Sequence, residues 1–100
     1  MNARTTALSA LIAVRRQNAW ADGALKEYIA RDRLSRRDAA LAARLVYGVV
    51  QNRLLLDFDL AQVVSSPLAK LQPVVLDILR LGAYQILFLD KVPDSAAVNQ

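Results

Sequence analysis

Helix-breaking residues are scarce in this sequence, and their positions limit the folds open to it. The 100 residues include three glycines and three prolines, and every proline lies after residue 66. The windows between them suit helices better than short strands joined by turns. Hydrophobic residues, mostly alanine, leucine and valine, make up 55% of the chain, which excludes disorder by composition. We predict one all-α domain over residues 1–100.

Apolar residues recur at helical spacing in five segments. The predicted helices run from about Ala3 to Gln17, from an Asp22 N-cap until the pattern fails near residues 31–34, from Arg36 after a Ser35 N-cap to about Asn52, from Leu54 to Val64, and from Pro73 to about Leu89. Gly48 lies inside the third helix at a cost in stability, so we expect another helix to approach closely there.

The fifth predicted helix is apolar nearly all round, apart from one stripe that holds Asp77, Arg80 and Tyr84. Such a helix is typical of the middle of a bundle. A sixth helix is predicted to start at about Ala96, and the sequence stops within its first turn. We therefore expect a helical bundle truncated at its C-terminal end, with the final helix or helices outside this sequence.

The residue types present exclude several kinds of chemistry. The chain has no cysteine and no histidine, so it offers no thiol nucleophile, imidazole base or cysteine-ligated zinc. It also lacks a glycine-rich phosphate loop. We predict no catalytic residue, no metal site and no bound cofactor in this chain. Charged and polar residues interrupt the longest apolar tract, residues 71–89, so no membrane association is predicted and the expected compartment is the cytoplasm.

Positive charge is concentrated in the first half of the chain. Residues 1–50 carry nine basic and four acidic side chains, whereas residues 51–100 carry four and five. An arginine-rich surface suits phosphate groups, although arginines also solvate helix faces without any ligand. Arg4 and Arg15 lie at the edge of the core stripe of the first helix, where each pairs with a buried acid or reaches a ligand. We favour a structural pair for Arg4, and RNA contact for Arg15 and its neighbour Arg16.

Three other residues have two interpretations each. Asp57 is interpreted as a structural acid near the start of the fourth helix, or as the partner of a core-edge arginine. Trp20 and Tyr28 could stack on nucleic-acid bases, but we favour core packing for both.

Several segments resemble the NusB-like family. Residues 78–88, ILRLGAYQILF, are followed by Val92-Pro93 and by Ala97-Val98-Asn99, as in that family. Upstream, residues 2–8 (NARTTAL) resemble its first helix, and residues 38–50 (DAALAARLVYGVV), followed by Arg53 and Leu56-Asp57, resemble a second segment of the family. Within this family, the sequence of these segments most resembles the N-terminal domain of RsmB-type (Sun/Fmu) 16S ribosomal RNA methyltransferases, which make 5-methylcytosine.

The resemblance implies a function and a set of residues. It implies binding of substrate ribosomal RNA, with a methyltransferase domain in cis that holds S-adenosylmethionine beyond Gln100. The implied RNA-binding residues are Arg15, Arg16, Arg36, Arg37, Arg44 and Arg53. It also implies a structural Arg4–Asp38 ion pair.

Two other functions stay open from the sequence. One is a free-standing NusB-type antitermination factor that binds single-stranded RNA with a ribosomal protein. The other is a helical protein-interaction domain whose basic surface is incidental. We also expect a homodimer, because truncation leaves an apolar surface uncovered.

Overall fold

The computed structural model describes residues 2–89, and these form helices without a strand, as predicted. The predicted sixth helix lies outside the described residues. The helices are α1 (Ala3–Gln17), α2 (Ala21–Arg31), α3 (Arg36–Gln51), α4 (Arg53–Val63) and α5 (Pro73–Tyr84). A 3₁₀ turn, Leu68–Lys70, precedes α5, and a π-helical turn, Gln85–Leu89, continues it. No helix in the described part of the chain has the length and apolarity to cross a membrane.

Short polar side chains cap the starts of α1 and α3. Asn2 accepts a hydrogen bond from the Thr5 backbone N–H (2.9 Å) and forms a capping box with it. Ser35 caps α3, as predicted, by accepting from the Asp38 N–H at 3.1 Å. The predicted Asp22 N-cap is wrong: the N-cap position is Trp20, two residues earlier, and it has no side-chain cap.

The core lies where α1, α2 and α3 meet. Alanines on one face of α1, at positions 3, 7, 10 and 13, are buried and leave room for close helix packing. The largest fully buried apolar side chains are those of Leu45 and Val46 in α3 and Leu56 in α4. Removing such side chains from water is the main force that holds these helices together.

Gly48 marks a close approach of α3 and α5, which confirms the prediction. A Cβ atom at this position would overlap the ring of Tyr84. The Tyr84 ring is itself buried and stacks on Phe88 with centroids 5.0 Å apart. Glycine is therefore tolerated inside α3 because its missing side chain is the space that Tyr84 fills.

α5 is oriented opposite to the usual rule. Its polar stripe of Asp77, Arg80 and Tyr84 faces inward and is buried, whereas Ile78 and other apolar residues of α5 are exposed. Within residues 2–89 α5 contacts α1, α3 and α4, and its predicted position in the middle of a bundle stays a prediction, because the helices expected to cover its apolar side lie outside the described residues. The stripe turns inward because α1 and α4 supply counter-charges, through Arg15–Asp77 and Asp57–Arg80 ion pairs.

Candidate nucleic-acid interface

Hydrogen bonds between helices define the two ends of the bundle. Near one end, Thr6 of α1 donates to Asp32, the residue that follows α2, at 2.6 Å. Towards the other end, the hydroxyl of Tyr47 in α3 donates to Asp22 in the first turn of α2. α2 therefore runs antiparallel to both α1 and α3. We call the end at the N-terminus of α3 the Ser35 end, and the end at the N-terminus of α2 the Trp20 end.

The structure separates the six predicted arginines into groups rather than one patch. Because α3 has 16 residues, its two ends are about 24 Å apart. Arg36 and Arg37 lie at the Ser35 end, and Arg44 lies between the ends. The Trp20 end holds the other three, Arg15, Arg16 and Arg53. All except Arg15 are exposed.

Arg36 and Arg37 occupy the first turn of α3. The unpaired N–H groups of a helix start carry partial positive charge, so cations at this position destabilise the helix slightly. The two arginines also add to the positive potential there. This arrangement is unfavourable for folding and favourable for an anionic ligand.

A polar network holds the same end together. The carboxylate of Asp32 accepts hydrogen bonds from Thr6 and from Nε and Nη2 of Arg31, at 2.8 and 3.0 Å for the guanidinium. The guanidinium also lies 4.5 Å from the ring centre of Tyr28, which packs against the core as predicted. The bonds from Arg31 and then Thr6 lower the pKa of Asp32 from 3.8 to about 2.

Arg15 pairs with an acid in the structure, which corrects the preference for RNA contact alone. Its Nε donates to Oδ2 of Asp77 at 2.8 Å, and the side chains are 27% and 6% exposed respectively. The Nη2 atom of Arg15 is buried and makes no hydrogen bond within the described residues. In the Arg15 guanidinium, Nε therefore has a partner, whereas the buried Nη2 has none among the described residues.

A pocket of about 400 Å³ lies beside Arg15, between α1, α3 and α5. Its polar lining comes from three arginines, one amide and one carboxylate: Arg15, Arg53, Arg80, Asn18 and Asp77. Leucine and valine side chains form the rest of the wall. The sequence did not predict this site, because only Arg15 and Arg53 had been assigned to ligand binding.

Arg80 and Asp57 form the second ion pair of α5. Nε and Nη2 of Arg80 donate to the two carboxylate oxygens of Asp57 at 2.7 and 2.9 Å. This confirms the interpretation of Asp57 as a partner for a core-edge arginine. The predicted Arg4–Asp38 pair is wrong, because Arg4 donates from Nε to the amide oxygen of Gln85 at 2.6 Å and no ion pair joins Arg4 to Asp38.

Trp20 is 87% exposed, so the preferred interpretation as a core residue is wrong. It stands in the three-residue connection between α1 and α2, two positions after Asn18. Two residues span at most about 7 Å, so the indole is attached close to the edge of the arginine-lined pocket. Its place in a connection, where side chains have few neighbours, is the signal that could have predicted its exposure.

Comparison with known proteins gives the family. The NusB family matches residues 1–100, and the chain belongs to this family. A probable ribosomal RNA small subunit methyltransferase B of Bacillus subtilis is 38% identical over 97 residues, and one of Synechocystis is 36% identical over 99 residues. The transcription antitermination protein NusB of Thiobacillus denitrificans is 32% identical over 69 residues.

The matches cover the relatives to different extents. The two methyltransferase matches span 97% and 99% of this chain but 22% of each relative. The antitermination match spans 69% of this chain and 48% of that protein. The matched part of the methyltransferases is their N-terminal domain. No solved structure matches the chain.

Proposed function

We propose that this chain is the RNA-binding N-terminal domain of a ribosomal RNA 5-methylcytosine methyltransferase and that it recognises substrate ribosomal RNA. The observation that carries the proposal is the near-complete match of the chain to the two methyltransferases named above. A cytoplasmic location follows from this function.

Binding to RNA is proposed to rest on phosphate contacts at both ends of the bundle. Arg36 and Arg37 support this because they stand where a helix start already disfavours cations. At the other end, Arg16 and Arg53 are exposed, and Arg15 is proposed to act from the wall of the pocket. Arg44 lies between the two groups. A strand of RNA that bridges about 24 Å would contact both.

Methyl transfer is proposed to belong to another domain of a longer protein. Residues 2–89 form helices without a sheet, and the sequence has no cysteine, so S-adenosylmethionine and its usual chemistry do not fit these residues. We therefore assign this domain to holding the RNA substrate and to no step of the reaction.

Salt dependence of binding tests the RNA proposal. The chain should bind a ribosomal RNA hairpin in fluorescence anisotropy, with an affinity that falls steeply between 50 and 200 mM salt. The double variant R36Q/R37Q should weaken binding and reduce the slope of log K against log salt by about 1 to 2. Lys70→Gln, an exposed cation in the 3₁₀ turn, is the matched control and should bind as wild type. Affinity unchanged by salt would overturn the proposal.

An antitermination factor is the alternative function, favoured by the match to the Thiobacillus protein. The sequence that follows residue 100 in the full gene distinguishes the two. A catalytic domain there supports the methyltransferase proposal. A stop after about forty more helical residues supports the alternative, because a small bundle would still need one or two helices of about that total length.

The apolar face of α4 and α5 is proposed to pair with a second copy of this 100-residue chain. A groove there is lined almost wholly by apolar atoms of residues such as Val63, Ile78 and Ile86, and apolar patches of this kind mark association sites. Light scattering should give a dimer, and Ile78→Glu should give a monomer of unchanged helix content. A wild-type monomer at high concentration would contradict the pairing.

A further inference from the structure

The Trp20 end carries features that phosphate contact at scattered arginines does not explain. A buried guanidinium nitrogen of Arg15 has no partner, and the pocket beside it is lined by three guanidinium groups. The most exposed large hydrophobic side chain of the described residues, Trp20, is attached nearby. We propose that this end is a binding site for a nucleotide of single-stranded RNA, with a phosphate in the pocket and a base stacked on Trp20.

The charges of the pocket favour an anion. Asp77 is neutralised by Arg15, and Arg80 is neutralised by Asp57. Arg53 makes no ion pair within the described residues, so it leaves a full positive charge at the rim. A phosphate oxygen in the pocket would lie beside Arg53 and beside the Arg15 side chain, which is 27% exposed, so two guanidinium groups would attract it.

The position of Trp20 is unfavourable for folding and favourable for stacking. It stands at the N-cap of α2, where serine, threonine, asparagine or aspartate would satisfy a free N–H, and it forms no cap hydrogen bond. An indole left 87% exposed there also loses the benefit of burial. A local rule broken in this way is typical of a functional position. Every base has a π-face, so stacking on Trp20 would tolerate many sequences.

This site deepens the proposed RNA-binding function and rests on it. The α1–α2 connection places the indole within about 7 Å, measured along two residues, of the pocket edge at Asn18. A phosphate and a base of one short stretch of RNA can therefore occupy the two parts together. Double-stranded RNA, whose bases are stacked on each other, has no face free for Trp20.

Intrinsic fluorescence tests the stacking part, because Trp20 is the only tryptophan of the chain. A single-stranded oligoribonucleotide should quench its emission, and a duplex of the same sequence should quench it much less. Trp20→Ala should weaken binding of the single strand by about fivefold or more. Phe58→Ala, which removes another exposed aromatic ring, should leave that affinity unchanged.

Inorganic phosphate tests the pocket and separates a free anion from the RNA backbone. Phosphate should raise the melting temperature of the wild type. Arg53→Gln should reduce this rise, whereas Lys70→Gln, which removes an exposed cation outside the pocket lining, should retain it. Phosphate should also compete with the single strand for the wild-type chain.

The outcomes distinguish this inference from the proposed function. RNA that binds without quenching Trp20, and equally well to Trp20→Ala, would overturn the inference and leave the proposed function standing. If Arg53→Gln binds RNA normally and phosphate does not change the melting temperature of the wild type, the proposed phosphate site in the pocket is overturned. Absence of any RNA binding at low salt would instead overturn the proposed function and the inference with it.

Discussion

In both ion pairs of α5 the α5 residue is buried and its partner is more exposed, so removing one residue of a pair should change the stability by a different amount from removing the other. In the Asp57–Arg80 pair the α5 member, Arg80, is only 8% exposed in its side chain, whereas Asp57 from α4 is 27% exposed. The pair is bidentate, with distances of 2.7 and 2.9 Å. Removing one member leaves the other without its partner, and the cost depends on whether the stranded charge can reach water. The stability loss should therefore be larger when the exposed member is removed.

The magnitudes follow from the exposures. Asp57→Ala strands the buried guanidinium of Arg80, and breaking a buried pair costs about 3–5 kcal/mol. We expect about 3 kcal/mol, at the low end of that range, because Arg80 also lines the open pocket between α1, α3 and α5. Arg80→Met keeps the apolar stem and leaves Asp57 free to turn to solvent, so we expect about 1 kcal/mol.

Urea denaturation at pH 7 measures both values. In a domain of this size about 1 kcal/mol shifts the melting temperature by about 4–8 °C, so thermal melts should separate the variants clearly. Asp59→Ala is the matched control, since Asp59 lies on the same helix and forms no ion pair within residues 2–89. The double variant should lose less than the two single losses added together. An Arg80→Met loss equal to or above that of Asp57→Ala would refute this reasoning.

Three further predictions concern other parts of the bundle. Gly48→Ala should destabilise the fold by about 1–2 kcal/mol in urea, because the packing cost of displacing the Tyr84 ring exceeds the gain in helix propensity. Gly23→Ala, with open space around it, should be neutral or stabilising. Because the pKa of Asp32 is about 2 when folded and 3.8 ordinarily, its contribution is complete above about pH 4 and is lost as the pH falls towards 2. The melting temperatures of wild type and Asp32→Asn should therefore converge over that interval, and parallel curves would contradict the assignment. Arg4→Met should lower the melting temperature by a few degrees through loss of the Gln85 contact, by roughly 1 kcal/mol, with RNA affinity unchanged; normal stability with lost RNA binding would reverse this role.

Helix positions were predictable from the sequence because their causes are local. The bounds of α1 and α3 follow from a cap residue and from apolar spacing within the same segment. Gly48 was informative for a similar reason: a glycine inside a helix has a cost, and a close neighbour is the usual compensation. The neighbour itself, Tyr84, lies 36 residues further along the chain, and no local pattern identifies it.

The side chains of the candidate site were predicted less well because their positions depend on distant partners. Arg15 meets an acid 62 residues away in sequence, and Arg80 meets one 23 residues away. Helical periodicity tells which residues share a face, but it does not tell which neighbour covers that face. Arg4 and Arg15 share a face of α1, yet one contacts Gln85 and the other Asp77.

α5 shows why this matters for function. Periodicity alone would turn its polar stripe of Asp77, Arg80 and Tyr84 towards solvent and its apolar side inward. Two charged partners, Arg15 and Asp57, decide the question by drawing Asp77 and Arg80 inward. We expect charges at these fixed positions to set the register of α1 and α4 against α5 more sharply than apolar contacts alone, as buried polar groups do in some other helical proteins. The apolar side of α5 is then left outward, where it is available for a partner, and Arg15 connects this arrangement with the pocket at the Trp20 end.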